Sequence, residues 1–182
     1  MRINTAPVGT VANVGIRRQV VVALKGGANS GKTGALRKLY NGMIAQGAVC
    51  VAKDKWTTKN LRRSLLIYKR WVVAICEGGD TDKIIRENFD WADGACRERL
   101  CSWDVIVMPA WIRMNLDAAR QEQNCVSALL EEVWKKTYSL EVVDRNPVPQ
   151  RKSEKAKTIS QGECAKRLKR CIDFVICDRF IR

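Results

Sequence analysis

An apolar run at residues 20–24 leads into a glycine-rich stretch, and a helical pattern follows that stretch. Residues 26–33 read Gly-Gly-Ala-Asn-Ser-Gly-Lys-Thr. A β-branched apolar run that ends at a glycine is typical of a buried strand that enters a turn. The apolar residues after the turn recur at helical spacing until Gly47: Leu36, Leu39, Tyr40 and Met43. The sequence therefore predicts a strand, a tight turn and a helix in succession.

The stretch at residues 26–33 matches the pattern Gly-x-x-x-x-Gly-Lys-[Ser/Thr], and we call it the glycine-rich turn. Its glycines let the backbone wrap around phosphates, while amide N–H groups and the positive end of the helix hold the β-phosphate. Lys32 would neutralise β- and γ-oxygens, and the Thr33 hydroxyl would ligate Mg²⁺. We expect phosphate contacts along the whole turn: Gly26, Gly27, Ala28, Asn29, Ser30, Gly31, Lys32, Thr33 and Gly34.

Four further apolar runs have the length of strands: residues 48–52, 71–76, 103–110 and 140–143. Helical patterns lie between them, at residues 60–68, 84–89 and 126–134. Strands that alternate with helices favour a parallel sheet with right-handed crossovers. The expected fold class is α/β: a doubly wound, mainly parallel five-stranded sheet with helices on both faces, in one domain over residues 1–182.

The two ends of the chain and one internal segment are predicted separately. Residues 1–18 have no sustained period and are interpreted as an N-terminal arm. Residues 146–162 hold prolines and lysines and are interpreted as a polar connector. Residues 163–182 are predicted as a C-terminal helix, because cations collect opposite an apolar stripe. Residues 174–178 also fit a strand that ends in an acid, and this alternative stays open.

Residues 25–33 and the alternation of strands and helices resemble the P-loop NTPase superfamily over most of the chain. The resemblance implies a bound Mg-nucleoside triphosphate, and ATP is favoured because no Asn-Lys-x-Asp motif follows the fourth predicted strand. It also implies a second acid that orders Mg²⁺ through water, at the end of a strand beside the first. Asp80 is the first candidate and Glu77 the second. Asp80 is equally suited to cap the helix that begins near Asp82.

Residues 74–81, followed by residues 103–107, are similar to small bacterial and phage ATPases. Arg113 and Arg120 follow the fourth predicted strand, where P-loop kinases carry lid arginines, and solvated helix arginines are the alternative. Asp54, at the end of the second predicted strand, is a candidate for orienting an attacking water or an acceptor hydroxyl. The main catalytic candidates are Lys32, Asp80, Glu77 and Arg113.

The composition excludes several classes of chemistry and location. The chain has no histidine, so triads and general-base mechanisms that need an imidazole are excluded. No apolar run approaches the ~20 residues of a membrane-spanning helix, and no apolar leader precedes Arg17. We therefore expect a cytoplasmic protein without a membrane partner. Most of the eight cysteines lie in apolar stretches, which is typical of buried thiols.

The leading hypothesis is an ATPase that binds Mg-ATP, hydrolyses its γ-phosphate and reports the nucleotide state to a partner. Two alternatives stay open: a small-molecule kinase, and a nucleotide-gated module that hydrolyses slowly and holds nucleic acid or an acidic protein. The net charge of +14 favours polyanionic partners, although charge runs are more often solvated faces. The basic segments at residues 59–70 and 151–170 are the candidate contacts. The oligomeric state stays open, and so does whether another subunit of a homo-oligomer supplies an arginine to the site.

Overall fold

A computed structural model of the chain describes residues 19–26, 30–56, 61–79, 81–111, 129, 133, 135–136, 138–144 and 154–178. The regular elements in chain order are β1 Val20–Gly26, α1 Lys32–Ala45, β2 Val49–Trp56, β3 Leu61–Tyr68, β4 Trp71–Cys76, α2 Asp82–Arg97, β5 Val105–Trp111, β6 Ser139–Asp144 and α3 Glu154–Asp178. The predicted arm at residues 1–18 lies outside the described residues. So does most of the helix predicted at residues 126–134.

The strands form one six-stranded sheet in the order β2-β3-β4-β5-β1-β6. β4, β5, β1 and β6 are parallel to one another, and Val20 lies opposite both Val105 and Ser139. β3 is antiparallel to β2 on one side and to β4 on the other. The carboxyl ends of the four parallel strands therefore share one edge of the sheet, where α1 and α2 begin.

The predicted doubly wound, mainly parallel five-stranded sheet is wrong. The sheet has six strands and is mixed, because residues 61–68, which we predicted as helical, form the antiparallel strand β3. β3 has buried residues on both of its faces, so it lacks the alternating pattern that marks a half-exposed strand. The turn that joins β3 to β4 is Lys69-Arg70, which carries none of the usual turn residues. Neither the hydrophobic pattern of β3 nor the turn sequence therefore predicts a hairpin.

The core lies in two layers, one on each face of the sheet. Alternate residues of β1 point in opposite directions: Val20, Val22 and Leu24 pack with α1 and α3, and Val21 and Ala23 pack with α2. The α2 layer includes the aromatic rings of Phe89, Trp103 and Tyr138, which contact one another. Burial on both faces makes β1 an interior strand of the sheet, which fixes the start of the glycine-rich turn.

The helix α3 is longer than predicted. It begins at Glu154, so residues 154–162, which we predicted as part of a connector, are helical. The alternative strand at residues 174–178 is not formed, since the helix continues to Asp178. Leu168 and Ile172 are fully buried against the α1 face of the sheet, which supplies the stabilisation that local propensity alone does not. None of the helices in the described ranges is long and apolar enough to cross a bilayer.

The cysteines of the described ranges are free thiols with different environments. Cys76 is buried at the end of β4, and burial raises its pKa to about 12. It is therefore protonated at neutral pH and acts as a small apolar core residue. Cys177 also lies in an apolar stretch of the sequence, but it is exposed on α3.

Candidate phosphate-binding site

The glycine-rich turn connects the carboxyl end of β1 to the first turn of α1. β1 ends at Gly26 and α1 begins at Lys32, so the motif is not part of a continuous helix. Gly31 has φ 83° and ψ 21°, a left-handed conformation that glycine adopts without steric cost. Three expected phosphate contacts, Gly27, Ala28 and Asn29, lie outside the described residues.

The side chain of Lys32 folds back over the turn. Its Nζ donates a hydrogen bond to the Gly26 carbonyl oxygen at 2.8 Å, and the residue is only 6% exposed. The two ends of the glycine-rich turn are thereby joined by one contact. The ammonium group is held beside the start of α1, where backbone amides also carry partial positive charge.

No side chain caps α1 at Gly31, and no acidic residue lies in its first turn. In most helices a Ser, Thr, Asp or Asn side chain accepts a hydrogen bond from these first amides. The start of α1 therefore has two sources of positive charge, the helix dipole and the Lys32 ammonium. No acid of its own first turn offsets them. This arrangement favours an anion.

Thr33 and Glu77 are brought together although they are far apart in sequence. The Thr33 hydroxyl donates to the Glu77 carbonyl oxygen at 3.4 Å. The Glu77 carboxylate is 5% exposed, and its Oε2 accepts from Arg37 Nε at 3.0 Å and from the Arg62 backbone N–H at 3.2 Å. Glu77 therefore links α1 to the start of β3 and reaches the glycine-rich turn through its carbonyl group.

The expectation that the second acid lies on a strand beside β1 is wrong for Glu77. Glu77 follows β4, and β5 lies between β4 and β1 in the sheet. Asp80 lies outside the described residues, and so does Arg113. The N-cap of α2 is Thr81, whose hydroxyl accepts from Ile84 N at 3.3 Å, so the capping role that we considered for Asp80 belongs to Thr81. A threonine directly before Asp82 was the signal for it.

Gly34 lies against α3. A Cβ atom at this position would be 2.3 Å from Nε2 of Gln161, which places the amide of Gln161 over the first turns of α1. No sequence pattern predicts that Gln161 lies beside the glycine-rich turn. Its proximity depends on the packing of α3 on α1, which only the tertiary structure specifies.

A small cleft of about 100 Å³ lies next to Glu77, between α1 and the strands β2, β3 and β4. Its lining residues are Tyr40, Lys53, Asp54, Arg62, Ser64, Ile75 and Glu77. Lys53 Nζ lies 5.1 Å from the centre of the Tyr40 ring, and a side-chain hydrogen bond to Tyr40 raises the pKa of Lys53. The Asp54 carboxylate lies 3.5 Å from the guanidinium of Arg63, and its role in orienting a water stays a prediction. Sequence reasoning missed this cleft because it needs the β2–β3 hairpin.

A buried polar network fixes the loop at residues 77–79. Arg63 of β3 is 8% exposed, and its Nε donates to Asn88 Oδ1 at 2.9 Å. Asn88, fully buried on α2, donates from Nδ2 to the Gly78 carbonyl oxygen at 2.8 Å. On the other side of the loop, Gly79 packs so closely on Pro109 of β5 that a Cβ atom would lie 2.0 Å from the Pro109 carbonyl oxygen. The loop that carries Glu77 is therefore held from both sides.

Replacing Arg63 with methionine is expected to lower the free energy of unfolding by about 2 kcal/mol. The cost arises mainly because buried Asn88 Oδ1 loses its donor, whereas the two carboxylates near Arg63 are partly exposed and can be hydrated. Urea unfolding followed by circular dichroism measures the change. The matched control is Arg62→Met, since Arg62 is exposed and its side chain lies on the other face of β3. Equal stability of the two variants would contradict the network.

The described part of the site contains a positive helix start, a lysine folded over the glycine-rich turn, and a buried loop that meets Thr33. Comparisons of the chain with protein-family models, curated proteins and solved structures found no match. The resemblance to P-loop NTPases therefore depends on the residues quoted for it, and functional inference depends on the geometry of this site.

Proposed function

We propose that the chain binds Mg-ATP at the glycine-rich turn and hydrolyses the γ-phosphate, with the nucleotide state controlling a partner interaction. The observation that supports this proposal best is the contact between Lys32 Nζ and the Gly26 carbonyl oxygen at the uncapped start of α1. This contact places the full positive charge of the Lys32 ammonium beside the backbone amides at the start of α1. A polyphosphate is the common ligand that such an arrangement suits.

Lys32 would exchange one hydrogen bond for stronger ones when a nucleotide binds. In the described structure its ammonium donates to the neutral carbonyl of Gly26. Hydrogen bonds between a cation and an anionic oxygen are roughly twice as strong as those to neutral acceptors. The ammonium is already beside the turn, so little reorganisation is needed to place it on β- and γ-phosphate oxygens.

Two oxygen donors lie close together at the start of α1, and we propose that they face the bound Mg²⁺. The Thr33 hydroxyl and the Glu77 carbonyl oxygen are 3.4 Å apart, and hard oxygen ligands suit this ion. Bound there with the triphosphate, Mg²⁺ would neutralise charge on the phosphate oxygens. Asp80 and Arg113 stay in the proposal as the second magnesium group and the γ-phosphate arginine, on the grounds of sequence alone.

Glu77 is the acid that we assign to the hydrolytic water. Its carbonyl contacts Thr33, and its carboxylate is held by Arg37 on α1. Arg37 is 40% exposed and Glu77 is 5% exposed, so the guanidinium compensates a buried carboxylate from the solvent side. In this proposal Arg37 orients the carboxylate, and Glu77 accepts a hydrogen bond from the water that attacks the γ-phosphate.

Isothermal titration of the wild-type chain with ATP tests the proposal. We expect saturable binding in the presence of Mg²⁺, weaker binding of GTP, and at least about tenfold weaker ATP binding when EDTA removes the metal. Phosphate release should accompany binding, and its rate is measured with and without added nucleic acid. Failure to bind ATP at millimolar concentration in the presence of Mg²⁺ would end the proposal.

A small-molecule kinase is the second candidate, favoured by the cleft next to Glu77. Lys53 and Arg62 bring two cations to this cleft, and Tyr40 gives it an aromatic wall. The two acids of the lining, Asp54 and Glu77, are paired with Arg63 and Arg37. A phosphate acceptor with an anionic group would fit that combination close to Thr33. Radiolabelled γ-phosphate distinguishes the two functions: a kinase transfers the label to added nucleosides or metabolites, whereas an ATPase releases it as inorganic phosphate.

A further inference from the structure

The turn between β3 and β4 carries two cations in an unfavourable backbone conformation. Tyr68 pairs with Trp71, so Lys69 and Arg70 form a two-residue hairpin loop. Their φ angles are 48° and 63°, and positive φ at both central positions is the mark of a type I′ turn. Asn-Gly is the preferred sequence for this turn, and long side chains strain it. Strain of this kind at an exposed position points to a role for the side chains themselves.

The hairpin turn contacts the outer face of α3. Lys69 Nζ lies 3.6 Å from Asp173 Oδ1, and the Tyr68 hydroxyl donates to the same oxygen at 3.3 Å. Lys166 and Arg170 precede Asp173 by seven and three residues, so all three share one face of the helix. The turn and this helix face therefore form one continuous surface, which we call the basic surface: Lys69, Arg70, Lys166, Arg167, Lys169 and Arg170.

Few acids offset the charge of the basic surface. Asp173 is bound by both Lys69 and Lys169, so its negative charge is already compensated. Glu163 is exposed one turn before Arg167 and is the other acid that the described residues place on this face of α3. The net charge of the surface stays clearly positive, which complements a polyanion.

An exposed aromatic ring lies among these cations. Phe174 is 68% exposed and follows Arg170 by four residues, so the two side chains are neighbours on α3. Aromatic rings beside cations are the combination that single-stranded nucleic acids use, because bases stack on the ring while cations follow the phosphates. A bilayer is a poorer partner, since the apolar side of α3 is already buried against the sheet: Cys164, Ala165, Leu168, Ile172, Val175 and Ile176.

We propose that the basic surface binds single-stranded nucleic acid, with the hairpin turn and α3 contacting phosphates and Phe174 stacking on a base. This interaction does not depend on a nucleotide at the glycine-rich turn. It also explains why Lys69 and Arg70 occupy a turn that smaller residues would form with less strain.

The test variant is K69N/R70G, which gives the turn its preferred Asn-Gly sequence and removes two cations. The variant should melt at the same temperature as the wild type or higher, so misfolding does not account for lost binding. Its affinity for a fluorescein-labelled 20-nucleotide single strand, measured by anisotropy at low salt without ATP, should fall about 20-fold. Because each single-strand phosphate contact contributes about 0.7 to the slope of log affinity against log salt, the slope should decrease by about 1.4.

A control variant separates the basic surface from net charge. K83Q/R97Q also removes two exposed cations, but from α2 on the opposite face of the sheet, and should change the affinity less than about threefold. F174A should weaken single-strand binding about tenfold and leave duplex binding nearly unchanged. Three results would each overturn the proposal: equal losses in K69N/R70G and K83Q/R97Q, no effect of F174A on the single strand, or preferential binding to phosphatidylserine vesicles.

Discussion

Lys32→Ala is expected to lower the affinity for Mg-ATP about 100-fold, equivalent to about 2.7 kcal/mol of binding free energy. The substitution removes the side-chain cation that contacts Gly26 across the glycine-rich turn. At the start of α1, phosphate oxygens would then contact backbone amides, which carry partial charges only, without the lysine ammonium. ATP hydrolysis should fall at least as far, because charge on the γ-phosphate increases in the transition state.

The control for this prediction is Lys38→Ala. Lys38 lies on the same helix, six residues further on and therefore about 9 Å along the axis. It should change ATP affinity less than about threefold, since it removes the same charge away from the turn. Lys32→Ala loses the hydrogen bond to Gly26 and should unfold with a free energy about 1 kcal/mol lower. Equal ATP affinities of the two variants by calorimetry would show that the glycine-rich turn is not the nucleotide site.

The parts of the fold that depend on local patterns could be predicted from the sequence. β1, the turn and α1 follow from an apolar run, glycines and helical spacing, and the later strands β4 and β5 follow from apolar runs of the right length. β3 could not be predicted in this way. Its burial depends on β2 and β4 covering its two sides, and its hairpin turn is Lys69-Arg70, which no turn rule selects.

Some residues of the candidate site could likewise be predicted from the sequence, and others could not. The motif residues Lys32 and Thr33 could be identified from spacing, because their proposed roles need only the local turn and helix. The partners of Glu77 could not, since Arg37 reaches it only when α1 packs on the sheet, and the Arg62 backbone reaches it only when β3 pairs with β4. Contacts between elements that are distant in sequence follow from strand register and helix packing. In the mixed sheet both differ from those of the parallel sheet that we predicted.

Gly79→Ala is expected to lower the free energy of unfolding by about 3 kcal/mol or more. The added Cβ would lie 2.0 Å from the carbonyl oxygen of Pro109 and 2.9 Å from its Cγ, far inside van der Waals contact. Relief requires backbone movement, because the closest atom belongs to the main chain. Pro109 pairs with Leu24 of β1 in the centre of the sheet, so movement there disturbs the strand that leads into the glycine-rich turn. Urea unfolding measured by tryptophan fluorescence gives the value.

Gly94→Ala is the matched control, since it adds the same methyl group where no atom lies within 4 Å. Gly94 is inside α2, and alanine there should stabilise the chain by about 0.5–1 kcal/mol because it restricts the unfolded backbone. The two glycine substitutions should therefore change stability in opposite directions. If Gly79→Ala unfolded within 1 kcal/mol of the wild type, the close packing of the 77–79 loop on β5 would be refuted. The position of Glu77 beside Thr33 would then lose its support, since that packing holds one side of the loop.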